Sequence, residues 1–279
     1  MQMKSLLKQL IPPLLFKVIK RTIPHPRIFK TYGEAVAACQ DNGYQNADLV
    51  KVVIDKNINF KKYIESNAVF DLGTLRTLIA LGLSKESTSL NVIDFGGGGG
   101  YHYTIAQQAL GKGTTLKWNV VETTAMANEA QRIANNNLKF FDSITEAEKD
   151  LGSVDLIFTS GALQYCPNPL AFLKQLTETN AKYLFITRTA FSETDNDIFS
   201  IQVSKLSSNG PGPLPTGYTD KKMTYPITCA SKSAAESILR EKYDIQFVIL
   251  EDKAGYIVAD KEIDMFGYFC VRKSLTRQL

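Results

Sequence analysis

Asp94, Gly96, Gly98 and Gly100 fall on every second position of NVIDFGGGGGYHYTIAQQAL, residues Asn91 to Leu110. A short apolar run, an acid, five consecutive glycines and a helical pattern follow one another there. A glycine inside a helix or strand costs roughly 0.5–1 kcal/mol against alanine, so such a run marks a place where something approaches bare backbone. A strand, a tight turn and a helix start make a corner that binds anions or cofactors, with backbone N–H groups aimed at the ligand. Two common versions of that corner do not fit. The dinucleotide spacing G-x-G-x-x-G would place its third glycine on Tyr101 or His102. The phosphate-cradling loop ends in G-K-[ST], whereas this run ends in Gly100-Tyr101-His102.

The pattern that fits at every position is a strand-end acid followed by alternating glycines, Asp94-x-Gly96-x-Gly98-x-Gly100. It resembles the first motif of class I S-adenosylmethionine-dependent methyltransferases. The resemblance implies a cofactor without a phosphate. Phe95, Gly96, Gly97, Gly98 and Gly100 would let its methionine portion lie on bare backbone, and Asp94 would answer its positive ammonium or sulfonium region, directly or through water. A second acid is expected at the tip of the next strand, to take both ribose hydroxyls. Glu122 ends LKWNVVE, 22 residues beyond Gly100, close to the ~20-residue offset of a ribose-binding acid in this fold type. Thr123 follows it.

Further strand ends extend the set. Asp142 and Ser143 in FFDS either cap a helix or meet the adenine amino group. Ser160, Gly161, Leu163, Gln164 and Tyr165 in SGALQY are expected along the cofactor and the mouth of an acceptor site, and Tyr103 beside them. Methyl transfer is an in-line displacement governed by alignment, and a hydroxyl acceptor gains from a general base. His102, one turn into the helix after the glycines, is the first candidate, with an imidazole suited to proton transfer near neutrality. The same residue also suits a helix cap or a packing contact. Tyr165 is the second catalytic candidate. Arg188, Gln202 and Tyr225, with Glu193, Asp195 and Asp197, are placed to face an acceptor.

The elements that must carry these residues are legible as a β–α alternation from Leu90 onward. LNVIDF, LKWNVVE, NLKFF, VDLIFTS and AKYLFIT read as strands, and YHYTIAQQAL, TAMANEAQRIA and NPLAFLKQLTET as helices. This order predicts an α/β, doubly wound, Rossmann-like and mostly parallel sheet with right-handed crossovers. Residues 188–230 interrupt it with the glycine- and proline-rich SSNGPGPLPTG and read as an acceptor-site insertion. A helix at SKSAAESILREK and two antiparallel strands, DIQFVILED and MFGYFCVRK, close the chain, so the final strand is antiparallel. Before the sheet, residues 31–88 read as a helical cap, with helices over TYGEAVAACQ, NADLVKVVIDKNINFKKYI and roughly Asn67 to Leu83. The catalytic unit is expected over 89–279.

Taken together, TYGEAVAACQDNGY, DFGGGGGYHY, VVE, SGALQY, FSIQV and TYPIT resemble a family of S-adenosylmethionine-dependent methyltransferases often associated with bacterial surface-polysaccharide or related biosynthetic loci. The resemblance runs from about Thr31 to Tyr243. It implies the fold and the cofactor, and it leaves the acceptor open. The all-glycine run departs from the family, where a bulkier residue is expected within the loop. The resulting expectation is methyl transfer to a small polar acceptor, a sugar or carrier-linked glycan hydroxyl. The alternatives are a cofactor-binding protein without transferase activity and, against the glycine spacing, a nicotinamide-dependent oxidoreductase.

Bulk composition, 279 residues with 44% hydrophobic and 22% charged, is ordinary for a soluble globular protein. The net charge of +4 is unevenly spread. Lys4, Lys8, Lys17, Lys20, Arg21, Arg27 and Lys30 fall in residues 1–30 without one acid, and the body is slightly acidic. Such an arm reads either as a solvated basic helix or as contact with an acidic surface, a polyanionic partner or anionic lipid on the inner membrane surface of a cytoplasmic protein. A body without a basic face argues against nucleic acid. Cys39, Cys166, Cys229 and Cys270 are far apart, and only His25 and His102 accompany them, so no metal site is expected.

Overall fold

The computed structural model describes residues 27–39, 43–67, 69–259 and 261–273. The basic arm, but for its last residues, lies outside them. Among the described residues three α-helices come first: α1 (Tyr32–Ala38), α2 (Ala47–Asn67) and α3 (Leu75–Ser84). The alternating part follows as β1 (Ser89–Phe95), α4 (Tyr101–Leu110), β2 (Thr115–Val121), α5 (Thr124–Ala130), β3 (Leu138–Phe141), α6 (Ile144–Leu151), β4 (Leu156–Ser160), α7 (Pro169–Glu178) and β5 (Tyr183–Ser192). An arm of β6 (Ile198–Lys205) and β7 (Lys222–Ser231) comes next, then α8 (Lys232–Lys242), β8 (Tyr243–Val258) and β9 (Lys261–Arg272).

The strands order as β3-β2-β1-β4-β5, all parallel, with β9 antiparallel against β5 and β8 antiparallel against β9. This is a doubly wound Rossmann-like sheet whose final strand runs antiparallel, as expected from the sequence. Alternation along β1 sorts its side chains to two faces. Val92 joins Trp118, Val120 and Phe158 in a core with α2, α3, α4 and α5. Ile93 and Phe95 join Val121 and Ile157 in a second core under α6, α7 and α8. Leu49, Val53 and Leu81 share the first cluster with the strands, so α2 and α3 are packed onto the sheet.

Three expectations are corrected. The insertion is no irregular loop: β6 and β7 pair antiparallel from Ile198↔Cys229 to Lys205↔Lys222, and β7 continues the overlong end of β5 at Phe191↔Ala230. Helix α6 was not anticipated, although Ser143 caps it by accepting from Glu146 N at 3.4 Å, a serine-to-glutamate spacing typical of helix starts. The helix expected from Asn67 begins only at Leu75, after a short 3-10 turn capped by Asp71.

Candidate active site

Strand register aligns the chain exits. Phe95 pairs with Val121 and with Thr159, Val121 with Phe141, and Ser160 with Thr187. The chain therefore leaves at Gly96, Glu122, Asp142, Gly161 and Arg188 along one edge. Strand order reverses there between β1 and β4, where ligands bind in open α/β sheets. A cavity of ≈ 1190 Å³ opens along that edge. Pockets for one small ligand usually span about 300–1,000 Å³, so this one has room for a cofactor-sized molecule and a second compound.

The glycine loop forms its floor. Gly96 has φ +74, and a Cβ there would overlap the Ala162 side chain. A Cβ on Gly97 would overlap the Asp94 carboxylate. Three loop N–H groups are already satisfied by the protein. Gly96 N donates to Val121 O at 2.8 Å and Gly100 N to Gly97 O at 3.1 Å. Gly98 N donates to Glu122 Oε1 at 2.9 Å, and Thr123 N donates to Glu122 Oε2 at 3.0 Å. Each Glu122 oxygen keeps a second acceptor position. Burial pushes the Glu122 carboxyl above the usual range, opposed by those two N–H donors, with the Asp94 charge adding to the rise.

Asp94 does not reach the cavity, which corrects the expected direct contact. Its place on β1 turns it to the Trp118 side, where it is fully buried beneath α4. Its Oδ2 accepts from Trp118 Nε1 at 3.0 Å and lies 2.9 Å from His102 Nδ1. His102 borders the cavity, with its ring edge-on to Phe158 and Tyr101. With Nδ1 directed at a carboxylate, the neutral ring keeps its free lone pair on Nε2, an atom with no partner among the described residues.

Of the other expected residues, Phe95, Thr123, Asp142, Ser143, Ser160, Gly161, Tyr165, Arg188, Gln202 and Tyr225 line the cavity. Asp142 Oδ2 accepts from Thr124 Oγ1 at 2.9 Å. Four residues are turned away. Tyr103 is 3% exposed and packs edge-on to Trp118, because the helical phase set at Gly100 gives the cavity to Tyr101 instead. Gly100 caps α4 and faces Leu138. Leu163 is in the core beneath α7, and Gln164, 1% exposed, donates to Arg188 O at 3.3 Å. Tyr165, the second catalytic candidate, donates to Gln202 Oε1 at 2.5 Å, and burial first, then the neighbouring tyrosines, hold its hydroxyl well above the ordinary value.

Sequence reasoning overlooked several cavity residues contributed by the leading helices. Tyr44 stands 4.9 Å edge-on from Tyr165 and 4.8 Å from Tyr225, placed by the turn at Gly43, φ +52; the Asn-Gly of DNGY signals that turn. Asn57 is 5% exposed, donates from Nδ2 to Val53 O at 2.8 Å, and leaves Oδ1 without a partner among the described residues. The loop after β6 closes over α2, where Lys56 Nζ donates to Ser207 O at 2.8 Å and Asn209 O at 2.7 Å. Ser208, Asn209, Gly210 and Pro211 thereby join the cavity wall. Nothing in the local sequence of α2 signals that long-range latch.

No protein-family model matches the chain, and no curated protein does. Among solved structures, it is similar to a SAM-dependent methyltransferase from Aquifex aeolicus, at 18% identity over 72% of this chain and 94% of that one, with a TM-score of 0.40. It is also similar to the magnesium protoporphyrin IX methyltransferase ChlM from Synechocystis PCC 6803 with bound SAM, at 14% identity over 77% and 81%, TM-score 0.40. A third is an S-adenosylmethionine dependent methyltransferase from Mesorhizobium loti, at 11% identity over 71% and 98%, TM-score 0.42. Likeness this distant carries no functional argument. The fold follows from strand order and register, and the function from the site. Among the described residues no cluster of His, Cys, Asp and Glu could hold a metal ion, and no helix is long and apolar enough to cross a membrane.

Proposed function

We propose that this chain binds S-adenosylmethionine and transfers its methyl group to a hydroxyl of a small polar acceptor, such as a sugar or a carrier-linked glycan. One observation carries the reading. The loop N–H groups of Gly96, Gly98 and Gly100 are bonded within the protein, and a carboxylate, Glu122, stands over the loop. A pyrophosphate on this loop would find three of its N–H donors already engaged. A phosphate-free, positively charged nucleoside with ribose hydroxyls suits the same wall. The fit holds at two further points: Gly96 and Gly97 leave no room for side chains, and the unpaired Oδ1 of Asn57 is an acceptor for a ligand donor.

Bound S-adenosylmethionine would supply an electrophilic methyl on a sulfonium. Glu122 would hold the ribose and the glycine floor the methionine portion, with Asp142 and Ser143 at the adenine end. Gln202, Tyr225 and Arg188 would present polar groups to the acceptor from the other end of the cavity. His102 would accept the hydroxyl proton on Nε2, with Asp94 fixing the tautomer and orienting the ring.

The test is calorimetry with S-adenosylmethionine, S-adenosylhomocysteine and NAD, followed by release of S-adenosylhomocysteine in the presence of candidate acceptors. Binding of the first two and not of NAD is expected, with turnover on a hydroxylated compound. Binding of NAD alone would sink the reading. Binding without turnover across an acceptor panel would favour a cofactor-binding protein that transfers nothing.

A further inference from the structure

Arg188 is the residue at which β5 breaks its pairing. The register with β9 shifts between Ile186 and Thr189, and Arg188 takes φ +55. A non-glycine residue in that region is strained and persists only where its surroundings impose it. Here the imposing group is Glu251, whose side chain is 6% exposed. Its Oε1 accepts from Arg188 N at 2.6 Å and from the Thr187 hydroxyl, while its Oε2 pairs with Arg76 Nε at 2.6 Å. The carboxylate nearest to Arg188 is thus spent on the backbone and on a different arginine.

The guanidinium of Arg188 lies over Gly161, where an added Cβ would be 3.5 Å from Cζ. It lines the cavity, as does Arg76. Both act on the Tyr101 hydroxyl: burial and then Asp71 push it up, to about 12, against the downward pull of the two cations. No acid pairs with the Arg188 guanidinium among the described residues. The structure therefore bends a strand at some cost to aim an unpaired planar cation into the cavity, and planar guanidinium groups match carboxylate and phosphate oxygens.

Position says whose anion this is. Glu122 and the glycine floor stand at the ends of β2 and β1. Arg188 leaves β5, two strands beyond β1 across β4, and strands are spaced about 4.8 Å apart. It belongs to the side of the cavity shared with Gln202 and Tyr225. We infer that the acceptor carries an anion, a carboxylate or phosphate, which docks on Arg188 with Arg76 as its neighbour. The inference rests on the methyl-transfer reading for the word acceptor; the anion site stands on its own geometry.

The experiment is titration calorimetry of inorganic phosphate into the full chain, free and saturated with S-adenosylhomocysteine. Saturable binding in both states is expected, weakened about tenfold or more in Arg188→Met, as for loss of a charge-assisted hydrogen bond, and partly restored in Arg188→Lys. Affinity for S-adenosylhomocysteine should stay within about twofold in each variant, a change too small for a lost contact. Arg188→Gly, which accepts the left-handed backbone, must lose phosphate binding and melt no lower than the parent. Absence of saturable phosphate binding, or binding that ignores Arg188, overturns the inference. If the variants lose S-adenosylhomocysteine but keep 5′-methylthioadenosine, which lacks the carboxylate, Arg188 holds the cofactor's own anion and the acceptor claim is overturned. If the parent chain binds no S-adenosylhomocysteine, the methyl-transfer reading fails, and the titration of the free chain still decides the anion site.

Discussion

On the proposed reading, Glu122 is the side chain on which cofactor binding depends most. Its two oxygens hold Gly98 and Thr123 in place and keep acceptor positions for the ligand. Glu122→Ala should weaken S-adenosylmethionine binding by about 10- to 100-fold, the loss expected for hydrogen bonds to a charged group, as read by calorimetry. Burial raises the folded-state pKa of this carboxyl. Its contribution to folding is therefore fully present below the unfolded value and fades as pH rises through the raised one. Cofactor binding needs the ionised form and runs the opposite way, weakening as pH falls through that same raised pKa. A calorimetric pH series in which affinity held constant down to pH 4 would contradict this. Beside it, His102→Ala should lower kcat by about 10²–10⁴ with cofactor affinity little changed, the span of general-base catalysis. An equal loss in both would make His102 a packing residue. Residue types were legible here, but directions were not. Spacing brought Asp94 to the strand end, yet it is the face shared with Val92 and Trp118 that buries it under α4. Tyr101 and Tyr103 differ only in helical phase, which Gly100 sets as the cap.

The glycine loop, α2 and the β6–β7 arm act together on the cavity. Gly97 has an ordinary backbone conformation, so the cost of replacing it comes from contact with Asp94 alone. Gly97→Ala should lower stability by about 1–3 kcal/mol, as overpacking does, seen as a fall in Tm; an unchanged Tm would mean that Asp94 moves freely. Lys56 is 1% exposed and bonds the two carbonyls that seat the loop after β6. Lys56→Met should release that loop to protease cleavage within 206–219 while the sheet resists, and uniform digestion of the whole chain would argue against a local latch. The parallel strands were readable as apolar runs ended by turn residues. The arm was not, because β6 buries the polar Ser200 and exposes Val203 beside a glycine- and proline-rich loop, and β7 is fixed by the far end of β5.

Across the molecule, one edge of the sheet gathers the exits of the five parallel strands β1–β5, and the two ends of that edge differ in charge. Glu122 and Asp142 stand over β2 and β3; Arg188, with Arg76 beside it, stands over β5. That polarity suits a cationic nucleoside at one end and an anionic acceptor at the other. Sequence alone reached the fold because alternation and the loop motif agree with one another. At the acceptor end it reached Arg188, Gln202 and Tyr225 and missed Arg76 and Tyr44, which join the same cavity from segments far away in the chain. The most direct test is a crystal structure of the chain with S-adenosylhomocysteine. The ribose hydroxyls should lie within hydrogen-bonding distance of Glu122, and the homocysteine portion should rest on Gly96, Gly97 and Gly98. Density for the nucleoside elsewhere, or a glycine floor left bare beneath it, would contradict the account.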